Sequence, residues 1–196
     1  MCIRDRSNGA RSRNARLAAI RSFYHYAALE MPQHAALIQR VLAIPYKRLA
    51  RPLVGYLARD EVEALLVSVD QSTRLGRRNH AILLVAVQTG LRLSEITGLR
   101  RKDVTLGTGA HVRCEGKGRK ERCTPLTKAA VAVLKAWTGE QNGTEESFLF
   151  PNSTGGRLSA DAFQHLVARQ VAIAQRKCPS LATKRVTCLL YTSRCV

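Results

Sequence analysis

A chain of 196 residues can bury one good core, or a core with a small appendage. Its 32 Lys and Arg against 14 Asp and Glu leave a net charge of +18, which points to a polyanionic partner, because neutralising phosphates releases counterions whatever their sequence. Ribosomal and membrane-surface proteins share that excess, but the chain has no run of about 18 apolar residues and nothing resembling a secretory signal. A soluble cytoplasmic protein without a membrane span is therefore expected.

The six cysteines form no CxxC pair and no two histidines stand at zinc spacing, so free thiols are expected and neither a metal nor another cofactor is assigned. Both ends stand apart. Residues 1–7 and 188–196 continue no neighbouring periodicity, resemble translated sequencing-adapter read-through, and are set aside from the fold.

In chain order, Arg11 to about Leu29 reads as an amphipathic helix with Leu17, Ile20, Phe23 or Tyr24, and Ala27 or Ala28 on one face. Arg11, Arg13, Arg16 and Arg21 fall on or near the other, where a solvated face is the plain reading. Met31-Pro32 breaks the pattern, and a shorter helix is expected from about Gln33 to Ala43. The stretch Ile44 to Pro52, with two prolines, three cations and no period, reads as an extended linker that includes Lys47.

A larger domain then begins near Tyr56. Asp60 to about Val69 forms a helix with Val62, Leu65, Leu66 and Val69 turned inward, and Asp60 and Glu61 suit the positive end of its dipole. Ala81 to Val87 is apolar on every side and reads as a helix buried all round. Gly90 stops it. Glycine just past the last apolar turn takes the left-handed conformation at no steric cost, and a second helix follows with Leu93, Ile96 and Leu99 toward the core. Arg92 stands at the mouth of that helix, where the dipole disfavours a cation. The same placement, beside free N–H groups on a fixed turn, makes a preorganised phosphate site; an ordinary exposed arginine is the alternative.

A small sheet comes next. Val104 to Leu106, His111 to Glu115 and Glu121 to Leu126 are strand candidates, the last two joined by the basic turn Gly116-Lys117-Gly118-Arg119-Lys120. Taken alone, such a turn is commonly a solvated loop. Thr127 is placed to cap a helix reaching Trp137, with Ala130, Val133, Leu134 and Trp137 inward. After a polar loop from Gly139 to Ser147, a last helix is expected from Ala160 to about Ala174, buried through Phe163, Leu166, Val167 and Val171. The whole is mainly α with a small antiparallel sheet, an α+β arrangement.

Thr89-Gly90-Leu91-Arg92-Leu93-Ser94-Glu95, followed by Gly98-Leu99-Arg100 and Asp103-Val104, resembles the first catalytic-arginine box of the tyrosine recombinases, the phage-integrase-type site-specific recombinases. Gly116-Lys117-Gly118 with Lys120, Arg122 and Pro125-Leu126 resembles the hairpin that carries that family's catalytic lysine, and Phe148 to Pro151 with Gly155 to Ser159 resembles the stretch before its next helix. The resemblance implies an incomplete catalytic domain over residues 56–187, a linker at 45–55, and over 8–44 the end of a helical core-binding domain that clamps DNA, its earlier helices absent.

It implies cleavage of double-stranded DNA by a tyrosine hydroxyl, which bonds to phosphorus, displaces a deoxyribose 5′ oxygen and keeps the bond energy for rejoining. Arg92 would stabilise the developing negative charge and Lys117 would protonate the leaving oxygen, fixed cations taking the place of a metal. Glu95 either orients Arg92 or simply favours the helix start, and the second reading is preferred. Arg16, Arg21, Lys47, Arg119, Lys120 and Arg122 are candidates for DNA contact, and the intact protein is expected to act as a homo-oligomer on DNA. The family's His-x-x-Arg box, a further His or Trp and the nucleophilic tyrosine belong beyond Thr187. The chain is therefore read as C-terminally truncated, binding DNA without cutting it, and Tyr191 is rejected as a substitute nucleophile. A non-catalytic DNA-binding regulator and a type IB topoisomerase are the competing readings.

Overall fold

The computed structural model describes residues 9–49, 56–116, 121–184 and 186. The chain divides into two compact units, residues 1–53 and 54–196. In the first, α1 (Ala10–Glu30) packs on α2 (Ala35–Leu42) across a short 3-10 turn opened by Pro32. Both helices lie where their sequence placed them, but the packed face of α1 differs. Leu17 is buried, Ile20 and Phe23 are exposed, and Arg21 is half-buried, its guanidinium 5.1 Å from the centre of the exposed Tyr46 ring. Asn14 fixes the segment beyond α2 by exchanging two hydrogen bonds with the backbone of Lys47. An arginine stem covers apolar surface as well as a leucine does, and apolar and charged residues are spread almost evenly round α1, so periodicity selects no face.

The second unit is built round α4 (Arg74–Thr89), on which α3 (Arg59–Val67) and α6 (Lys128–Gly139) pack, while α7 (Ala160–Ala174) lies against α3 and α5 (Leu93–Gly98). Ala81, Ile82, Leu83 and Val85 have no exposed surface, so α4 is buried round most of its girth. Three antiparallel strands, β1 (Val104–Thr105), β2 (His111–Glu115) and β3 (Glu121–Pro125), run in sequence order. Val112 and Cys114 of β2 point into the core and Arg113 and Glu115 away from it, the period-two pattern of a half-buried strand.

Thr127 caps its helix as expected, and two further N-caps appear in the structure. Thr73, Thr127 and Ser159 each accept a backbone N–H three residues on, from Gly76, Ala130 and Ala162. Gly76 has a second role: a Cβ there would lie 1.6 Å from the carbonyl oxygen of Asp70, so only glycine lets the two backbones meet.

One polar element lies in the interior. Glu61, expected to serve the dipole of α3 at the surface, is 1 % exposed. Its carboxylate accepts the Ala58 N–H at 2.7 Å, the Ser180 hydroxyl at 2.6 Å and the Lys184 ammonium at 2.6 Å, tying the start of α3 to the 3-10 turn Pro179–Thr183. Burial pushes its pKa up, but these hydrogen bonds and the Lys184 charge outweigh burial and hold it below the ordinary carboxylate value.

Candidate functional site

The end of α4 positions the site. Gly90 takes φ 60°, ψ 27°, the left-handed conformation expected of it, and returns its N–H to the Ala86 carbonyl at 3.1 Å. Leu91, 3 % exposed, then pins the turn into the core. Arg92 is left extended at φ −65°, ψ 154° as the N-cap of α5, its side chain more than half exposed.

Glu95 does more than favour the helix start. One carboxylate oxygen accepts the Arg92 N–H at 2.7 Å and the other the Arg92 Nη1 at 3.0 Å, so it caps the helix and holds the guanidinium at once. It also takes Nη2 of Arg122 at 2.6 Å. Its side chain is 6 % exposed. Burial pushes the Glu95 pKa up, yet the Arg92 hydrogen bonds and the charges of Arg122 and Arg92 leave it below the ordinary value. The unfavourable meeting of a cation with the start of α5 is offset by a carboxylate at the third helical position.

Arg122 arrives from the sheet. Opposite Cys114 in the β2–β3 register, it lies over the core-facing side of the hairpin, with Nε 3.1 Å from the Cys114 sulfur. A residue expected among DNA contacts thus stands beside Arg92 and shares its carboxylate. Across the start of α7, Arg157 reaches the same helix from the other side in sequence, donating to the Ser94 carbonyl at 2.8 Å and the Thr97 hydroxyl at 3.2 Å. Arg92, Ser94, Thr97, Arg157 and Ser159 line an open hollow of about 700 Å³. No tyrosine is among its lining residues in the described part of the chain.

Lys117, Arg119 and Lys120 lie outside the described residues. Arg16, Arg21 and Lys47 belong to the first unit, where Arg16 and Lys47 are exposed and Arg21 is stacked on Tyr46. Sequence reasoning missed Arg157 as a site residue, and of the two roles it weighed for Glu95 it preferred the helix start, whereas Glu95 performs both and also holds Arg122. Glu95 stands three residues after Arg92, the spacing of a capping carboxylate, which was a usable signal. Nothing local marks Arg157, since only the packing of α7 on α5 brings it to the hollow. Among the described residues no group of His, Cys, Asp and Glu could hold a metal ion, and no helix is long and apolar enough to cross a membrane.

Residues 55–188 match the phage integrase family. A Sinorhizobium fredii chain named as an integrase/recombinase, y4rC, is 58% identical over 177 residues, which cover 90% of this chain and 53% of that one. Tyrosine recombinase XerC of Xanthomonas axonopodis pv. citri is 35% identical over 170 residues, 87% of this chain and 54% of XerC. Among solved structures, the Tn1549 transposon integrase in complex with circular intermediate DNA superposes with a TM-score of 0.68 at 15% identity, over 95% of this chain and 65% of that one. The XerH site-specific recombinase bound to difH substrate gives 0.60 at 22% identity, over 90% and 57%. The chain spans about half the length of these two curated relatives.

Proposed function

The chain belongs to the phage integrase family of tyrosine recombinases, and from that premise we propose that it forms the DNA-gripping part of an enzyme that cuts and rejoins DNA at specific sites. The observation that carries the reading is the Arg92–Glu95–Arg122 cluster at the mouth of α5, beside an open hollow. A transferring phosphoryl group gathers negative charge on its equatorial oxygens, and a guanidinium fixed in advance stabilises that charge without reorganising. Glu95 supplies the fixing. Because it is shared between two arginines, it cannot cancel both charges.

In the intact protein a tyrosine oxygen bonds to phosphorus, the bond to the 5′ oxygen breaks, and Lys117 gives that oxygen its proton as general acid. Arg92 carries the charge in between. Arg16, Arg21, Lys47, Arg119 and Lys120 engage the phosphate backbone, residues 8–44 form part of a helical DNA-clamping unit, residues 45–55 its linker, and protomers assemble on duplex DNA in the cytoplasm. Arg92 and Lys117 serve charge and proton transfer in this reading and no tyrosine lines the hollow among the described residues, so the chain by itself is expected to bind duplex DNA and form no covalent link with it.

The test mixes the purified chain with fluorescent nicked and intact duplexes. Retarded complexes that weaken steeply with salt, and no labelled protein band after denaturing electrophoresis, are expected. A denaturation-resistant adduct would refute the non-cutting assignment, and an absence of duplex binding would refute the DNA-gripping role.

A further inference from the structure

Two arginines line the hollow beside α5, Arg92 and Arg157, and the inference drawn from the second deepens the function proposed above and rests on it. The hollow is open to solvent, with a volume of about 700 Å³. A phosphate and its hydration fit with room over. Arg157 is anchored on one flank by two neutral acceptors, the Ser94 carbonyl and the hydroxyl of Thr97, a residue 4 % exposed. The anchor is close: a Cβ added at Gly98 would stand 3.5 Å from Arg157 Nη2, so the guanidinium lies against the helix backbone.

No carboxylate lies within ion-pair distance of Arg157 among the described residues. Asp161, in the first turn of α7, does not line the hollow. Among the described residues Glu95 is the carboxylate that pairs with Arg92 and with Arg122 beside it, and Arg157 pairs with none, so the charge of Arg157 stands uncompensated at the hollow. A guanidinium immobilised by neutral groups, with donors to spare and no anion of its own, is a phosphate anchor whose ordering cost is met on folding.

We infer that Arg157 binds a second DNA phosphodiester in this hollow, apart from the one assigned to Arg92. Contacts of this kind set the register of a strand without reading its bases. Arg157 is thus a positioning residue for the reacting strand.

The experiment measures duplex affinity of the full chain against salt for wild type, Arg157→Gln, Arg157→Ala and Arg59→Gln. Arg59, on α3, is almost fully exposed and paired with Glu63, and serves as a control for bulk charge. Glutamine removes the charge and keeps the aliphatic stem, its amide ending near the Nε position and short of the Nη2 that reaches Ser94 and Thr97; Arg157→Gln is expected to stay folded, with a melting point close to that of wild type. Its slope of log affinity against log salt should fall by about one, the share of one phosphate, with affinity several-fold lower at low salt and Arg59→Gln unchanged. Wild-type behaviour in Arg157→Gln, or an equal loss in Arg59→Gln, overturns the inference and leaves the DNA-gripping role standing. Absence of salt-dependent binding by wild type overturns both. If Arg157→Ala alone weakens binding, and does so together with a lowered melting point, the residue is structural and the inference falls.

Discussion

Two glutamates show how a carboxylate changes meaning with its surroundings. Glu95 sits beside a solvent-facing hollow and is held by two arginines, so its charge orients cations that remain available to a ligand. Glu61 is enclosed and answers Lys184, whose side chain is 30% exposed, so its charge serves the fold. For Glu61 the folded pKa lies below the ordinary value. The stability it contributes is therefore present above the ordinary carboxylate pKa and is lost as pH falls through the folded one. Melting temperature followed from about pH 7 to about pH 3 should drop less steeply in Glu61→Gln than in wild type, the variant starting lower at neutral pH. Parallel acid limbs would show that Glu61 does not govern this loss.

At the scale of elements, the α4–Gly90–α5 corner is the joint that aims Arg92. Gly90 is left-handed at φ 60°, a conformation that costs any residue with a Cβ about 1–2 kcal/mol. Gly90→Ala should lower stability by about 1 kcal/mol, seen as a fall of about 3 °C in melting temperature. An unchanged melting point would mean that the corner relaxes and does not hold Arg92 rigidly. The other helices were readable to differing degrees. α7 begins and ends where its apolar stripe and Ser159 place it, whereas α1 shows a packed face that includes Arg21 and leaves Ile20 outside. The difference is one of contrast: α7 separates its apolar and polar faces, and α1 mixes them.

For the molecule as a whole, the two units differ in how much they bury. Among the described residues the first unit has only Leu17 and Ile38 as buried hydrophobics, while the second encloses a continuous core from Leu65 to Leu181. Local opening tracks the scarcity of buried contacts. Amide exchange followed by mass spectrometry should therefore be faster along α1 and α2 than along α4, and equal protection would contradict this account. The sequence by itself determined the mainly helical fold with its small sheet, the Thr127 cap, the buried α4, the glycine corner and the placing of Arg92 at a helix mouth. Each of these is written in spacings of a few residues, where local sterics and hydrogen bonds decide. Only the tertiary structure decided that Glu95 serves Arg92 and Arg122 together, that Glu61 is closed over by Lys184, and that Arg157 joins the hollow. Those meetings span tens of residues in the chain, and no local period records them. They exist because the packing of α7 on α5 and the register of β3 on β2 bring distant side chains within hydrogen-bond distance.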